Sequence, residues 1–434
     1  MSEGVSRRYA RSLELLERSL KCIPLGSQTF SKSHLQYPSG AAPFFLSHGQ
    51  GGHVWDVDGH EYIDLVNGLM PILLGYRDPD VDRAVREQME RGVVFSMATE
   101  GEIELAELLV ELIPCAEMVR YGKNGSDVTA AAVRLARGYT GRDRVAVCGY
   151  HGWQDWYIGS TSRNKGVPKA LRELTHPFQY NDLDSLRNLF KAHPGEFAAV
   201  IMEPVNSEEP HPGFLESVKE LCHKGGALFV LDEIITGFRF HIGGAQSLYD
   251  VIPDLATFGK GMGNGYPISA LVGRAEIMKD LEEVFFSFTY GGEALSLAAS
   301  IATIRKIIRE EVIDALWERG TQLMEGVRAL ITRHELTEVV RISGLPPWTV
   351  FSFQDTRGAT LWEIKSLFLQ EVLLRGVLTV GVQSISFAHT REDMDRVLDV
   401  YDEVLGILRV AIDSGNLRDH LAGPPIEPLF KTRS

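Results

Sequence analysis

Short apolar runs alternate with helix-like stretches through the middle of the chain, and this pattern limits the possible folds more than any other feature. The runs lie at 145–148 (VAVC), 198–202 (AAVIM), 227–231 (ALFVL) and 255–258 (LATF), and each stops at a polar or glycine-rich turn. Unbroken runs of this length suit strands covered on both faces, and the helix-like stretches suit the crossovers that parallel strands need. Between the second and third runs, residues 214–223 have helical spacing and are closed by Gly225-Gly226, as a helix end favours. The expected fold class is α/β with a mostly parallel central sheet. In such sheets ligands bind beyond the carboxyl ends of the strands, so the residues that follow the four runs are where chemistry is expected.

The flanks read differently. Residues 5–22 carry apolar positions at helical spacing (Leu13, Leu16, Leu20) and break at Pro24 and Gly26, the pattern of an N-terminal arm helix. From 53 to 65, Val54, Trp55 and Val57 are followed by Asp58-Gly59 and then by Tyr62, Ile63 and Leu65, which predicts a hairpin turning on the Asp-Gly pair. Beyond Gly320, amphipathic stretches at 321–334 and 361–375, with apolar runs at 349–353 and 384–388, predict a smaller α+β domain. The expected division is residues 1–70 as arm and small-domain hairpin, 71–320 as the large domain and 321–434 as the C-terminal small domain. The Pro-containing tail from 423 to 434 reads as an extended strap.

Size and charge narrow the function. A chain of 434 residues with 44% apolar content can fill a large core, and 44 basic against 58 acidic residues give a net charge of −14 with no basic run. That balance argues against nucleic acid or an anionic membrane surface as partner and favours a small-molecule substrate. No apolar stretch reaches the roughly 18 residues of a spanning helix, and residues 1–18 are too charged for a signal peptide, so a cytoplasmic location is expected. Cys22, Cys115, Cys148 and Cys222 are scattered without a CxxC pair and read as reduced structural thiols. No motif calls for a metal.

Two of the strand ends carry reactive groups. The third run is followed by Asp232-Glu233-Ile234-Ile235-Thr236-Gly237-Phe238-Arg239, and the fourth by Gly259-Lys260-Gly261-Met262-Gly263-Asn264-Gly265. Taken singly, a carboxylate ending a strand is usually a helix cap or an ion pair, and a lysine among glycines is usually solvated. Together, on adjacent strand candidates, they suit pyridoxal 5'-phosphate (PLP). An ionised Asp232 would stabilise the protonated pyridine nitrogen, and Lys260 would reach the aldehyde to form the Schiff base. Such a lysine must lose its proton, which partial burial and a cationic neighbour favour.

These strings, LDEIITGFR and TFGKGMGNGYPISALVG, closely resemble the cofactor signature of class III aminotransferases. These are fold type I PLP enzymes, and the strings especially resemble the branch of glutamate-1-semialdehyde 2,1-aminomutase. The resemblance covers roughly residues 54–389. It implies the fold type I architecture and the remaining site residues. Gly125 and Ser126, at the head of the Ala-rich stretch that follows Asn124, would grip the cofactor phosphate through helix N-terminal amides. Asp127 would stand behind them, and the alternative for this turn is an ordinary N-cap at Ser126. Tyr150 would stack on the pyridine ring, with His151 beside it, and Ile234 would pack against the opposite ring face. Glu203 would lie near the ring. Thr289 would reach across a homodimer boundary to the partner's phosphate.

The chain also departs from the family. The carboxylate that the aminomutase carries before Ala388-His389-Thr390 is replaced by Gly381-Val382-Gln383-Ser384, and the family's Asn-Pro after Gly291-Gly292 is Glu293-Ala294. Trp153 and Trp156 add aromatic surface of the kind that stacks on sugar rings, unless both are core. The set NGSDVT, GYHGWQDW and a PLFK tail is similar to aminotransferases of amino-sugar pathways. The expected activity is therefore PLP-dependent transfer of an amino group from an amino-acid donor, with glutamate the first choice, to a ketone or aldehyde such as a sugar intermediate. An intramolecular aminomutase, an epimerase and a non-catalytic scaffold of the same fold are the alternatives. Residues 25–30 and 206–211 are expected near the substrate entrance.

Overall fold

All four apolar runs become neighbouring strands of one seven-stranded sheet. Its order is Met118–Gly122, Ser269–Gly273, Leu255–Phe258, Leu228–Asp232, Phe197–Met202, Arg144–Cys148 and Thr175–Pro177. The last five are mutually parallel, while Ser269–Gly273 runs antiparallel to both of its neighbours. The computed structural model describes residues 8–428. It is an α/β architecture with a mixed, mostly parallel central sheet, the fold class expected from the sequence.

The runs lack polar alternation because both sheet faces are covered. Val145, Val147, Ala199, Ile201 and Val230 enter one core cluster with Ala131, Ala132 and Ala136 of the helix Gly125–Thr140. Ala146, Cys148, Val200, Met202, Phe229 and Leu231 enter a second with Phe214 and Val218 of the helix Phe214–Lys224. Successive side chains of a strand point to opposite faces, so a strand sandwiched between helices must be apolar throughout. The small residues of Gly125–Thr140 let that helix lie close to the sheet.

The chain forms two compact units. One is Asp78–Ile313 with the short segment Met70–Leu73, and it holds the seven-stranded sheet. The other draws on segments from both sides of the first, up to Leu69, at 74–77 and from Asp314 to the last described residue. In this second unit the Asp-Gly hairpin forms as expected, with His53–Asp56 antiparallel to Glu61–Asp64, and Ile63 then pairs in parallel with Val377. His53 ties the hairpin to the last long helix, its Nε2 lying 2.9 Å from Asp393 Oδ1 and its Nδ1 2.9 Å from Glu61 Oε1.

The arm helix spans Ala10–Leu20, and residues 5–7 of the expected helix lie outside the described residues. The run 384–388 is not a strand: the strand is Val382–Ser384, and Ile385 onward leaves the sheet. Gln383, in the stretch that lacks the aminomutase carboxylate, is fully buried between Thr349 Oγ1 at 2.9 Å and Tyr401 Oη at 3.2 Å, so it serves the packing of this unit. As far as Pro428 the tail is a strap, with Ala422 N bonded to Gln370 Oε1 and Ile426 N to Ser366 Oγ; the residues after 428 lie outside the described ones. Cys115, Cys148 and Cys222 are buried free thiols and Cys22 is exposed. Among the described residues no helix is long and apolar enough to cross a membrane.

Candidate active site

Tyr150, His151, Glu203, Asp232 and Lys260 all lie at or just beyond the carboxyl ends of parallel strands of the large sheet. Pairing of Leu228–Asp232 with Leu255–Phe258 puts Asp232 opposite Thr257, three residues before the lysine. Asp232 is buried, and its two oxygens are held separately. Oδ1 accepts from Ile234 N and Thr257 Oγ1, each at 3.2 Å, and Oδ2 lies 2.7 Å from His151 Nδ1. With a carboxylate as acceptor, His151 Nδ1 carries the proton. The Nε2 of the same ring is buried without a hydrogen-bond partner, and Trp156 and Tyr157 pack on the imidazole. A buried polar atom left open in this way asks for a water or a ligand group.

The turn ahead of Gly125–Thr140 is capped by Asn124, not by Ser126. Asn124 and Asp127 form a reciprocal capping box, with Lys123 N and Asn124 N both donating to Asp127 Oδ2. Asp127 is thereby occupied, while Gly125 and Ser126 are left at the helix head, partly exposed, where amides and macrodipole attract an anion. The strand-end turn at His151 is pressed onto this head. Gly152 has φ +104°, and a Cβ there would stand 2.4 Å from Ser126 Oγ, so only glycine fits. Thr129 Oγ1 donates to His151 O at 2.8 Å.

Ile234 joins three motifs. A Cβ on Gly125 would meet its side chain at 3.2 Å and one on Gly259 at 3.1 Å, so the two glycines and the isoleucine form a close-fitting cradle. Lys260 follows Gly259 with φ +40°, a left-handed conformation rare for a residue with a side chain and common at functional turns. Burial pushes its amine below the ordinary lysine value, against Glu203 and Asp232, which favour the charged form. Glu203 is raised by burial and by the Asp232 charge, and its Oε2 accepts from Tyr150 N at 3.1 Å.

The structure thus brings Gly125, Ser126, His151, Glu203, Asp232, Ile234 and Lys260 into one connected group. Tyr150 joins it through its backbone, while its side chain is 51% exposed beside Tyr157. Thr289 sits in an exposed turn before the helix Ala294–Arg309, and none of the hydrogen bonds joining the group involves it. The two tryptophans separate. Trp156 belongs to the core cluster under the sheet, and Trp153 is 64% exposed. Glu293, in place of the family's asparagine, caps Ala294–Arg309 and pairs with Lys123 Nζ at 3.1 Å, just before the anion turn. Thr257, Thr129 and Arg239 escaped the reading of the sequence. Thr257 was within reach of it, since a threonine among apolar residues opposite an acidic strand end needs a polar partner.

A mixed sheet of this order, with a carboxylate and a lysine at adjacent strand ends and an anion turn beside them, defines a class of amino-group-transferring enzymes. The model of aminotransferase class III matches residues 36–396, and the chain belongs to that family. It is 37% identical over 408 residues to a 3-aminobutyryl-CoA aminotransferase of Cloacimonas acidaminovorans, covering 92% of this chain and 97% of the relative. It is also 35% identical over 429 residues to a glutamate-1-semialdehyde 2,1-aminomutase of Lachnoclostridium phytofermentans, with 92% and 99% covered. Among solved structures, FumI of Sphingopyxis sp. MTA144 in its PLP internal aldimine form superposes with a TM-score of 0.86 at 30% identity, covering 96% of this chain and 99% of that one.

Proposed function

We propose that the chain is a PLP-dependent aminotransferase that works between two separate substrates, with Lys260 as its catalytic lysine and glutamate as amino donor. The observation that carries the reading is the single connected group of Lys260, Asp232 and the Gly125-Ser126 anion turn around Ile234. The residues fit PLP. Asp232, locked by His151 and Thr257, would hold the pyridine nitrogen, the Gly125 and Ser126 amides the phosphate, and Lys260 the aldehyde carbon. Ile234 would face one side of the ring and Tyr150 the other.

Bound there, PLP supplies an electron-withdrawing ring that accepts the electron pair left when a carbon–hydrogen bond of the substrate is broken. The protein supplies the rest. Lys260 Nζ takes the proton from the substrate's α-carbon and returns it at the neighbouring position, which its lowered proton affinity makes possible near neutrality. His151 holds Asp232 in position, by donating from Nδ1. The Ile234 side chain packs closely against Gly125 and Gly259, so larger residues at either position would press on it.

Transfer between two substrates is favoured over an intramolecular exchange because the stretch before Ala388 carries no carboxylate and its Gln383 is committed to packing. The relative that acts on 3-aminobutyryl-CoA, by its name, supports the same choice. A sugar-like acceptor rests on Trp153 alone, since Trp156 is core. A homodimer, with Thr289 serving the partner's phosphate, is supported by the exposure of that turn and of large apolar residues, including Phe285 at 74% and Met97 at 86%.

Incubation with glutamate should bleach the pigment of the PLP-loaded protein and release 2-oxoglutarate, and Lys260→Ala should lose both the pigment and at least about 10³-fold in rate. Turnover of glutamate by the Lys260→Ala protein at the wild-type rate would refute the assignment. An aminomutase or epimerase would leave 2-oxoglutarate absent.

A further inference from the structure

Arg239 ends the segment that begins at Asp232, and it is the bulkiest fully enclosed side chain among the described residues, 1% exposed. Enclosing a guanidinium is costly, so its contacts identify what the fold gains. Its Nη2 donates to the carbonyl of Met70 at 2.8 Å. Met70 closes a run of four consecutive left-handed residues, Asn67, Gly68, Leu69 and Met70, with φ of +48°, +66°, +77° and +79°. Three of the four carry side chains, and such a run persists only where surrounding contacts over-determine it. Directly after it, Ile72 and Leu73 lie on the lysine turn. A Cβ on Gly265 would stand 2.7 Å from Ile72 Cδ1, and one on Gly261 would stand 3.4 Å from Leu73 Cδ2. Met70, Pro71 and Ile72 remain partly exposed and carry no charge.

We propose that Arg239 is a positioning residue: by holding the Met70 carbonyl it latches the segment Met70–Leu73 onto the lysine turn and so governs how a substrate's carbon chain is admitted to Lys260. The proposal rests on the reading of Lys260 as the amino-transfer lysine. Its physical basis is a charge-assisted hydrogen bond inside the protein, the kind strong enough to hold a backbone in a disfavoured conformation. Loss of the donor lets residues 67–70 relax toward ordinary dihedrals, and the apolar wall on the lysine turn moves with them. Around the Lys260 amine, burial acts first to disfavour the charged form, Glu203 and Asp232 oppose this, and the Arg239 cation adds to it.

Arg239→Met and Arg239→Lys test the latch by hydrogen exchange and steady-state kinetics. In Arg239→Met, amide exchange across residues 67–73 should speed up about tenfold and KM for the amino donor should rise about tenfold, with kcat within roughly threefold of wild type. Arg239→Lys, which keeps a charged donor of different reach, should show both changes at smaller size. A folded Arg239→Met with wild-type exchange and KM would overturn the proposal, as would a loss confined to kcat. If Arg239→Met does not fold, Arg239→Lys decides alone, and its identity with wild type in exchange and KM has the same force. Exchange is read on protein without cofactor. A protein that took up no PLP would therefore sink the amino-transfer reading and leave the exchange result standing, whereas a failed latch would leave pigment and Lys260 dependence intact.

Discussion

Glu203 and Lys260 show how one enclosed site moves two proton equilibria in opposite directions. Burial disfavours charge on both, so the carboxyl is raised and the amine lowered, and each ion favours the other. An amine reacts with an aldehyde only after losing its proton, so the rate at which the apoprotein captures PLP should reach half its maximum below the ordinary lysine range. In Glu203→Gln a negative neighbour is gone and the amine sheds its proton more readily. The midpoint of the capture profile should therefore move to lower pH, by up to about one unit. A pH series of capture rates checks this, and a midpoint displaced upward would contradict it. At this scale the sequence was most legible where chemistry forces residue type. Asp232 and Lys260 stood out because a carboxylate and a lysine at strand ends have few shared uses. Trp156 did not, because composition cannot tell an aromatic that faces a ligand from one packed under a sheet, and the structure puts Trp156 in the core.

Elements owe their accuracy or error to what closes them. Four of the five parallel strands were readable to within a residue or two because two-sided burial removes polar alternation and the chain must then leave the sheet at a polar turn; the short edge strand Thr175–Pro177 lacks such a run and was not. The cap of Gly125–Thr140 was less so. Ser126 and Asn124 are both good caps, and Asp127 decides between them by bonding back to Lys123 N and Asn124 N. Gly152 joins this helix to the strand end at His151, and Gly152→Ala should cost about 1–3 kcal/mol in stability and lower PLP affinity at least tenfold. Gly141→Ala is the control. That glycine also has positive φ, at the other end of the helix, but open space around its missing Cβ. It should lose stability while PLP affinity is retained. Thermal unfolding of the apoprotein and cofactor titration separate the two effects, and equal affinity losses in both variants would argue against the Gly152 contact.

At the scale of the whole molecule, the proposed homodimer follows from what one copy leaves uncovered. Val94, Phe95, Met97, Ile103 and Phe285 expose between 45% and 86% of their surface, large apolar side chains of the kind a second copy would cover. Sedimentation should report a species of two chains. Met97→Asp with Phe285→Asp should shift it toward monomer and reduce PLP affinity, because Thr289 would no longer meet a partner; a fully active monomer would refute the arrangement. Local pattern determined four neighbouring strands of the sheet, the hairpin and the reactive strand ends, since periodicity, turn residues and the chemistry of single side chains act over a few neighbours. Only the tertiary structure decided the contacts between distant residues: His53 with Asp393, Arg239 with Met70, and the cradle of Gly125, Gly259 and Ile234. Those depend on how closely two surfaces approach, a quantity set by the packing of every element between them and written in no single stretch of the chain.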